Sequence, residues 1–213
     1  MQETIKQELV NLIKDRRSIT FFDSSKEIPE QTLEELINLA STAPSGYNLQ
    51  PWKIIIVKDK QKKSALKEIC FNQQKVEDAS ANIVVLANTK GGIENVDRVL
   101  DNWIELGYIN PNQKDPIKQS IINSWSDIER AKKKSIRDSA MFAMNIMTCA
   151  RIFGLETHPM EGFDEQKLRE FLNIPAHMIP IMIIAIGYKD KTKELLPRAY
   201  RFNFQEISKL IQD

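Results

Sequence analysis

The chain has 213 residues, enough for one sizeable domain with a well-buried core, and its 30 basic and 29 acidic side chains give a net charge of +1. That balance excludes a dedicated nucleic-acid or acidic-surface binder, which needs a strong charge imbalance. The start, Met1-Gln2-Glu3-Thr4, has no basic segment leading into an apolar core and no apolar run reaches a membrane span, so a soluble, cytoplasmic protein is expected, with no nucleic-acid or membrane partner.

Taken in chain order, Ile5, Leu9, Leu12 and Ile13 predict a short amphipathic helix that ends in Arg16-Arg17-Ser18. Two guanidinium forks beside a hydroxyl match phosphate geometry, and they equally suit a solvated helix C-terminus. Pro29 opens a second helix carrying Leu33, Leu36, Ile37 and Ala40. It runs into Ala43-Pro44-Ser45-Gly46-Tyr47-Asn48-Leu49-Gln50-Pro51-Trp52. Here two prolines and a glycine punctuate a run of residues able to hydrogen-bond a ligand. The segment reads either as a binding loop or as a plain helix-to-strand connector.

A strand follows at Lys53–Val57, then a helix at Lys60–Cys70, the connector Phe71-Asn72-Gln73-Gln74-Lys75 and a buried strand at Ala81–Ala87. Gly91–Arg130 is the least periodic part, with Pro111 and Pro116 as helix breakers. Its Trp103 and Trp125 either line a substrate pocket or anchor the insert. Ala131–Phe153 is the longest helical pattern, closed by Gly154, and its second half is apolar on nearly every face. Such a helix belongs in the centre of a domain or at a subunit interface. An extended segment at Leu155–Pro159, a helix at Asp164–Leu172, a strand at Ile179–Tyr188 and an amphipathic tail with Phe204, Ile207, Leu210 and Ile211 complete the chain. Cys70, Cys149, His158 and His177 make no metal-ligand spacing, and a disulfide is disfavoured in a cytosolic protein. The alternation of strands and helices predicts an α/β or α+β domain over residues 1–213, with a variable insert at about 91–130.

Several of these stretches, in this order, resemble the FMN-dependent nitroreductase family. Arg16-Arg17-Ser18-Ile19-Thr20-Phe21-Phe22 is similar to its Arg-x-Ser-x-x-x-Phe signature, and Pro44–Trp52 to its Pro-Ser-x-x-Asn-x-Gln-Pro-Trp motif. Phe71–Lys75 resembles a Phe-Asn-x-x-Lys connector, Pro159-Met160-Glu161-Gly162-Phe163 a Pro-x-Glu-Gly-Phe motif, and Pro197-Arg198-Ala199-Tyr200-Arg201 a closing basic pair. The resemblance covers almost the whole chain except the insert.

The resemblance implies an α+β fold with a mixed central sheet flanked by helices, in an intertwined homodimer whose termini and inserts wrap the partner. It implies FMN at the subunit interface and NADH or NADPH as donor. Arg16 and Ser18, with Arg17, Arg198 and Arg201, hold the phosphate by this resemblance. Pro44, Ser45 and Gly46 come from the other subunit and lie along the flavin ring, and Asn48 is a further cofactor-binding candidate. Asn72 meets the pyrimidine side. Reduced flavin is negative near N1 and O2, so Lys75 is the candidate cation there. Met160, Glu161 and Gly162 form the turn whose backbone N–H faces N5. Thr20 stands where many relatives carry a basic residue, and Arg198 and Arg201 are spaced one position wider than in some.

The implied reaction is a ping-pong hydride transfer from NAD(P)H to a small nitroaromatic, quinone or similar electron-poor acceptor, with no catalytic side chain. Trp103 and Trp125 are the candidates for the acceptor pocket. Enone reduction, reductive dehalogenation and flavin breakdown suit the same scaffold. A cofactor-free helical dimerisation protein is the reading from another class.

Overall fold

The computed structural model describes residues 2–212. Its centre is a four-stranded sheet of β1 (Trp52–Val57), β2 (Ala81–Asn88), β3 (Glu156–Met160) and β4 (Met178–Gly187), in the order β1-β2-β4-β3. Every strand pair is antiparallel. The parallel part of the expected mixed sheet is confined to one bridge, Ser18 to Thr157, which lays the chain after the first helix along β3. Both edges of the sheet, β1 and β3, belong to short strands.

β2 is buried at every position, because helices cover both faces of the sheet. Its side chains alternate between two cores. Ile83 and Val85 meet Leu36 of α2 (Glu30–Ala40) and Phe142 and Ile146 of α7 (Ile128–Ile152). Val84 and Leu86 meet Leu66 of α3 (Lys60–Ile69), Val76 of α4 (Gln74–Asp78) and Leu168 of α8 (Glu165–Leu172). This period of two explains how one continuous apolar run supports both layers.

The insert is more regular than its sequence predicts. It folds into α5 (Gly91–Glu105) and α6 (Lys114–Ser126), joined through a short 3-10 turn at Pro111–Gln113. Pro116 does not break α6; it sits in its first turn, where no intrahelical N–H is needed. Leu49, Val96, Leu100, Ile121, Trp125 and Ala131 form a third, smaller core.

α7 is a helix of 25 residues, capped by the Asp127 carboxylate on the Arg130 N–H and ended by Gly154 at φ +67. It is not buried all round within one chain. Ile136, Met144 and Ile152 are exposed along one i+4 ridge. The apolar face of α1 (Gln2–Asp15) is likewise open at Ile5, Leu9 and Ile13. After β4 the chain has only the single turn α9 (Phe204–Ile207), with Leu196, Tyr200, Phe202, Phe204, Ile207, Leu210 and Ile211 all exposed. Among the described residues, no helix is long and apolar enough to cross a membrane.

Candidate active site

The structure gathers the candidate residues into two groups. The first lies along β3. The Ile19 N–H donates to the Thr157 carbonyl at 3.1 Å, and this fixes Arg16, Ser18 and Thr20 beside the strand. Arg16 is half-buried, and its Nη1 has no hydrogen-bond partner. Burial, then the positive charges of Arg198 and Arg201, push its pKa down; Glu156 opposes this and Arg151 adds to it. Three further guanidiniums and one carboxylate, Glu156, therefore act on Arg16, and Glu156 is already paired with Arg151. Arg198 also donates to the carbonyls of Lys14 and Arg16. Arg17 points elsewhere: its Nη2 donates to the Leu196 carbonyl at 2.9 Å and straps the tail to the body. Arg201 reaches the Tyr200 carbonyl at 2.8 Å.

The same edge continues to Lys75 and the Gly162 turn. Phe71 and Asn72 are left-handed, at φ 55 and φ 58, and direct the chain into α4, where Lys75 sits. Lys75 is half-buried, which lowers its pKa, and it hydrogen-bonds the Gln73 Oε1 at 2.7 Å. Gln73 in turn donates to the Gly162 carbonyl at 2.9 Å. Among the described residues the Glu161 and Gly162 N–H groups have no acceptor. Met160 is 5% exposed and its side chain belongs to the core between the sheet and α3, so its backbone is the part available to a ligand. Asn72 and Thr20 are exposed and free to meet a ligand.

The second group is the loop Ala43–Pro51. Tyr47, Asn48 and Gln50 are all left-handed, at φ 54, φ 55 and φ 45. Non-glycine residues adopt that conformation only when their surroundings impose it. Here the Gly46 N–H donates to Asp138 at 3.0 Å, the Gln50 N–H to the Ser45 hydroxyl at 2.9 Å, and Asn95 to the Leu49 carbonyl at 2.7 Å. Ser45 is therefore an internal brace, while Pro44, Gly46 and Asn48 remain exposed.

The two tryptophans have different settings. Trp125 is 5% exposed and lies against Gly92, so it packs α6 on α5 within the insert. Trp103 stacks on Tyr47 with ring centroids 6.3 Å apart. The cleft of about 930 Å³ beneath the loop is lined by Asn48, Gln50, Asn95 and Arg98 and by neither Trp103 nor Trp125.

The two groups stay apart within one chain. Asp138 holds the loop and Arg151 belongs to the arginine cluster, and both are on α7. They are 13 residues apart, about 20 Å along a helix.

Four contributors escaped sequence reasoning: Asp138, Arg151, Gln73 and His158. His158 lies on β3 with Nδ1 3.0 Å from the Ile19 carbonyl, so Nδ1 carries the proton. Burial, and next the charge of Lys75, push its pKa down to about 4. It is neutral at neutral pH. A lone histidine on an extended segment carries no sequence signal for this.

A family model described as "Nitroreductase family" matches residues 13–188. The Bacillus subtilis protein MhqN, whose NAD(P)H nitroreductase designation is provisional, is 33% identical over 91% of this chain and 94% of its own. The chain belongs to the nitroreductase family. Among solved structures, the Bacillus subtilis protein YdfN, also provisionally designated a nitroreductase, matches this nitroreductase-family chain with a TM-score of 0.91. It is 30% identical and the match covers 97% of this chain and 100% of that one. A provisional nitroreductase of Exiguobacterium sibiricum, solved in complex with FMN, shares the fold at a TM-score of 0.85 and 24% identity, covering 95% and 96% of the two chains.

Proposed function

We propose that the chain is an FMN-dependent NAD(P)H oxidoreductase that works as a cytoplasmic homodimer and reduces nitroaromatic, quinone or similar electron-poor acceptors. The observation that carries this reading is the partnerless, buried Nη1 of Arg16 inside a cluster of four guanidiniums with one carboxylate. Uncompensated buried charge is costly, and a phosphate dianion supplies both the missing acceptors and the missing charge. FMN carries such a phosphate.

The residues fit the rest of the cofactor as well. Arg16, Arg198 and Arg201 bind the phosphate, with Ser18 beside them. Lys75 has no carboxylate partner among the described residues and offers its charge to the electron-rich pyrimidine side. Asn72 flanks that side, and the Glu161 and Gly162 amides offer donors to the ring edge. When bound, FMN supplies two-electron transfer between a nicotinamide donor and the acceptor. The chain's own part is to hold the cofactor and bias its charge.

Two subunits are required on this reading. The loop with Pro44 and Gly46 lies about 20 Å along α7 from the arginine cluster, so each site draws its loop from the partner. Exposed apolar residues on α1, α7 and the tail supply the surface for that association.

The test is an absorption spectrum of the purified protein followed by release and identification of the flavin. A yellow protein releasing FMN at about one per chain supports the reading. A colourless protein that takes up no added FMN overturns it. Unchanged flavin content in the Arg16→Met/Arg198→Met double variant refutes the phosphate assignment alone.

A further inference from the structure

We propose that Gln73 is a positioning residue that holds the Lys75 ammonium and the Gly162 turn in fixed relation, and that it must be a neutral amide to do so. The proposal rests on the flavin reading above for its functional consequence, and on the hydrogen-bond geometry for its existence.

Gln73 is the only side chain joining these two features among the described residues. Its Oε1 accepts from Lys75 Nζ at 2.7 Å and its Nε2 donates to the Gly162 carbonyl at 2.9 Å. An ammonium only donates and a carbonyl only accepts, so the two partners fix the amide in one orientation. The approach is close. A Cβ on Gly162 would lie 3.1 Å from the Gln73 Nε2. The backbone that delivers Gln73 is held under strain, since Phe71 and Asn72 are consecutive left-handed residues and the Phe71 ring is left exposed. Asn tolerates that conformation and Phe does not, so the surroundings impose it.

The chemistry explains the residue type. A carboxylate at position 73 would pair with Lys75 and cancel its charge. A hydrocarbon would leave both the ammonium and the Gly162 carbonyl unheld. An amide restrains Lys75 and leaves it cationic. It also ties back the Gly162 carbonyl while the Glu161 N–H and Gly162 N–H remain available as donors.

The experiment uses the FMN-loaded protein and two substitutions of similar length, Gln73→Met and Gln73→Glu. In Gln73→Met the preference for reduced over oxidised FMN should fall about tenfold, which lowers the two-electron midpoint potential by about 30 mV. In a Lys75→Met background the same substitution should shift the potential less, because only the route through the Gly162 turn is left. In the apoprotein, Gln73→Met should speed amide hydrogen exchange at Phe163, whose N–H donates to the Glu161 carbonyl, with no change elsewhere. A folded, flavin-loaded Gln73→Met protein with wild-type potential overturns the proposal. So does an equal shift in both backgrounds. If Gln73→Met does not fold, Gln73→Glu carries the test: it should lower the potential, and a wild-type value overturns the role. If wild-type protein takes up no FMN, the flavin reading has failed. The exchange measurement then judges the Gln73 tether alone, and unchanged exchange at Phe163 overturns it.

Discussion

Arg16, proposed above to hold the FMN phosphate, carries a cost in the empty protein. Its Nη1 is buried without a partner, and three other guanidiniums lower its pKa or crowd it. Removing the charge relieves that repulsion in the empty protein and forfeits a charge-assisted bond in the loaded one. Arg16→Met should therefore leave the apoprotein melting temperature unchanged or raised while FMN affinity falls about 10- to 100-fold. Parallel thermal melts and a flavin fluorescence titration check both signs. His158 makes a second residue-scale prediction. Its folded pKa of about 4 lies below the ordinary 6.5, so the unfolded chain binds more protons between those values. Its contribution is complete above pH 6.5 and is lost as pH falls toward 4. His158→Gln should flatten the decline in urea midpoint across that window; an unchanged slope removes His158 as its source. The arginines and Lys75 stand out as candidates because family motifs carry them. His158, Gln73 and Asp138 do not, because their roles depend on partners 139, 89 and 92 positions away in sequence.

At the level of elements, strands and long helices followed their periodicity, whereas the insert did not. The prolines and scattered aromatics of 91–130 conceal two helices whose apolar residues pack mainly on each other. A pattern shared between two neighbours is diluted in either one alone. Gly92 marks the contact: a Cβ there would fall 2.1 Å from the Trp125 ring. Gly92→Ala should overpack this small core and cost about 1–3 kcal/mol in chemical denaturation. The loop at 43–51 was legible as a special segment, but not as a strained one. Its three left-handed residues are imposed by anchors on α5 and α7, chiefly the fully buried carboxylate of Asp138. Asp138→Ala orphans the Gly46 N–H and should destabilise by about 1–3 kcal/mol, with faster amide exchange confined to the loop. Asp138→Asn keeps an acceptor and should recover most of the loss. Equal effects of the two substitutions would show that shape rather than the hydrogen bond matters.

The whole molecule turns on α7. Its second half reads in the sequence as apolar on every side, and in one chain it is not covered on every side: Met144 is 45% exposed, with Ile136 and Ile152 on the same ridge. In the homodimer proposed above, a second copy covers the ridge and brings its loop to the arginine cluster. Leu9→Lys combined with Met144→Lys tests it. Both positions are exposed in the single chain, so each substitution should change the stability of the subunit by no more than about 0.5 kcal/mol. Two buried like charges facing their symmetry mates would oppose association. The double variant should keep its far-UV circular dichroism, run as a monomer by light scattering, and lose its flavin although Arg16, Arg151 and Lys75 are untouched. A monomer that stays yellow at one FMN per chain sinks the composite site, since a single chain would then hold the cofactor without its partner's loop. A variant that remains dimeric and yellow moves the interface off this ridge and onto the tail, whose Phe204, Ile207, Leu210 and Ile211 are all exposed.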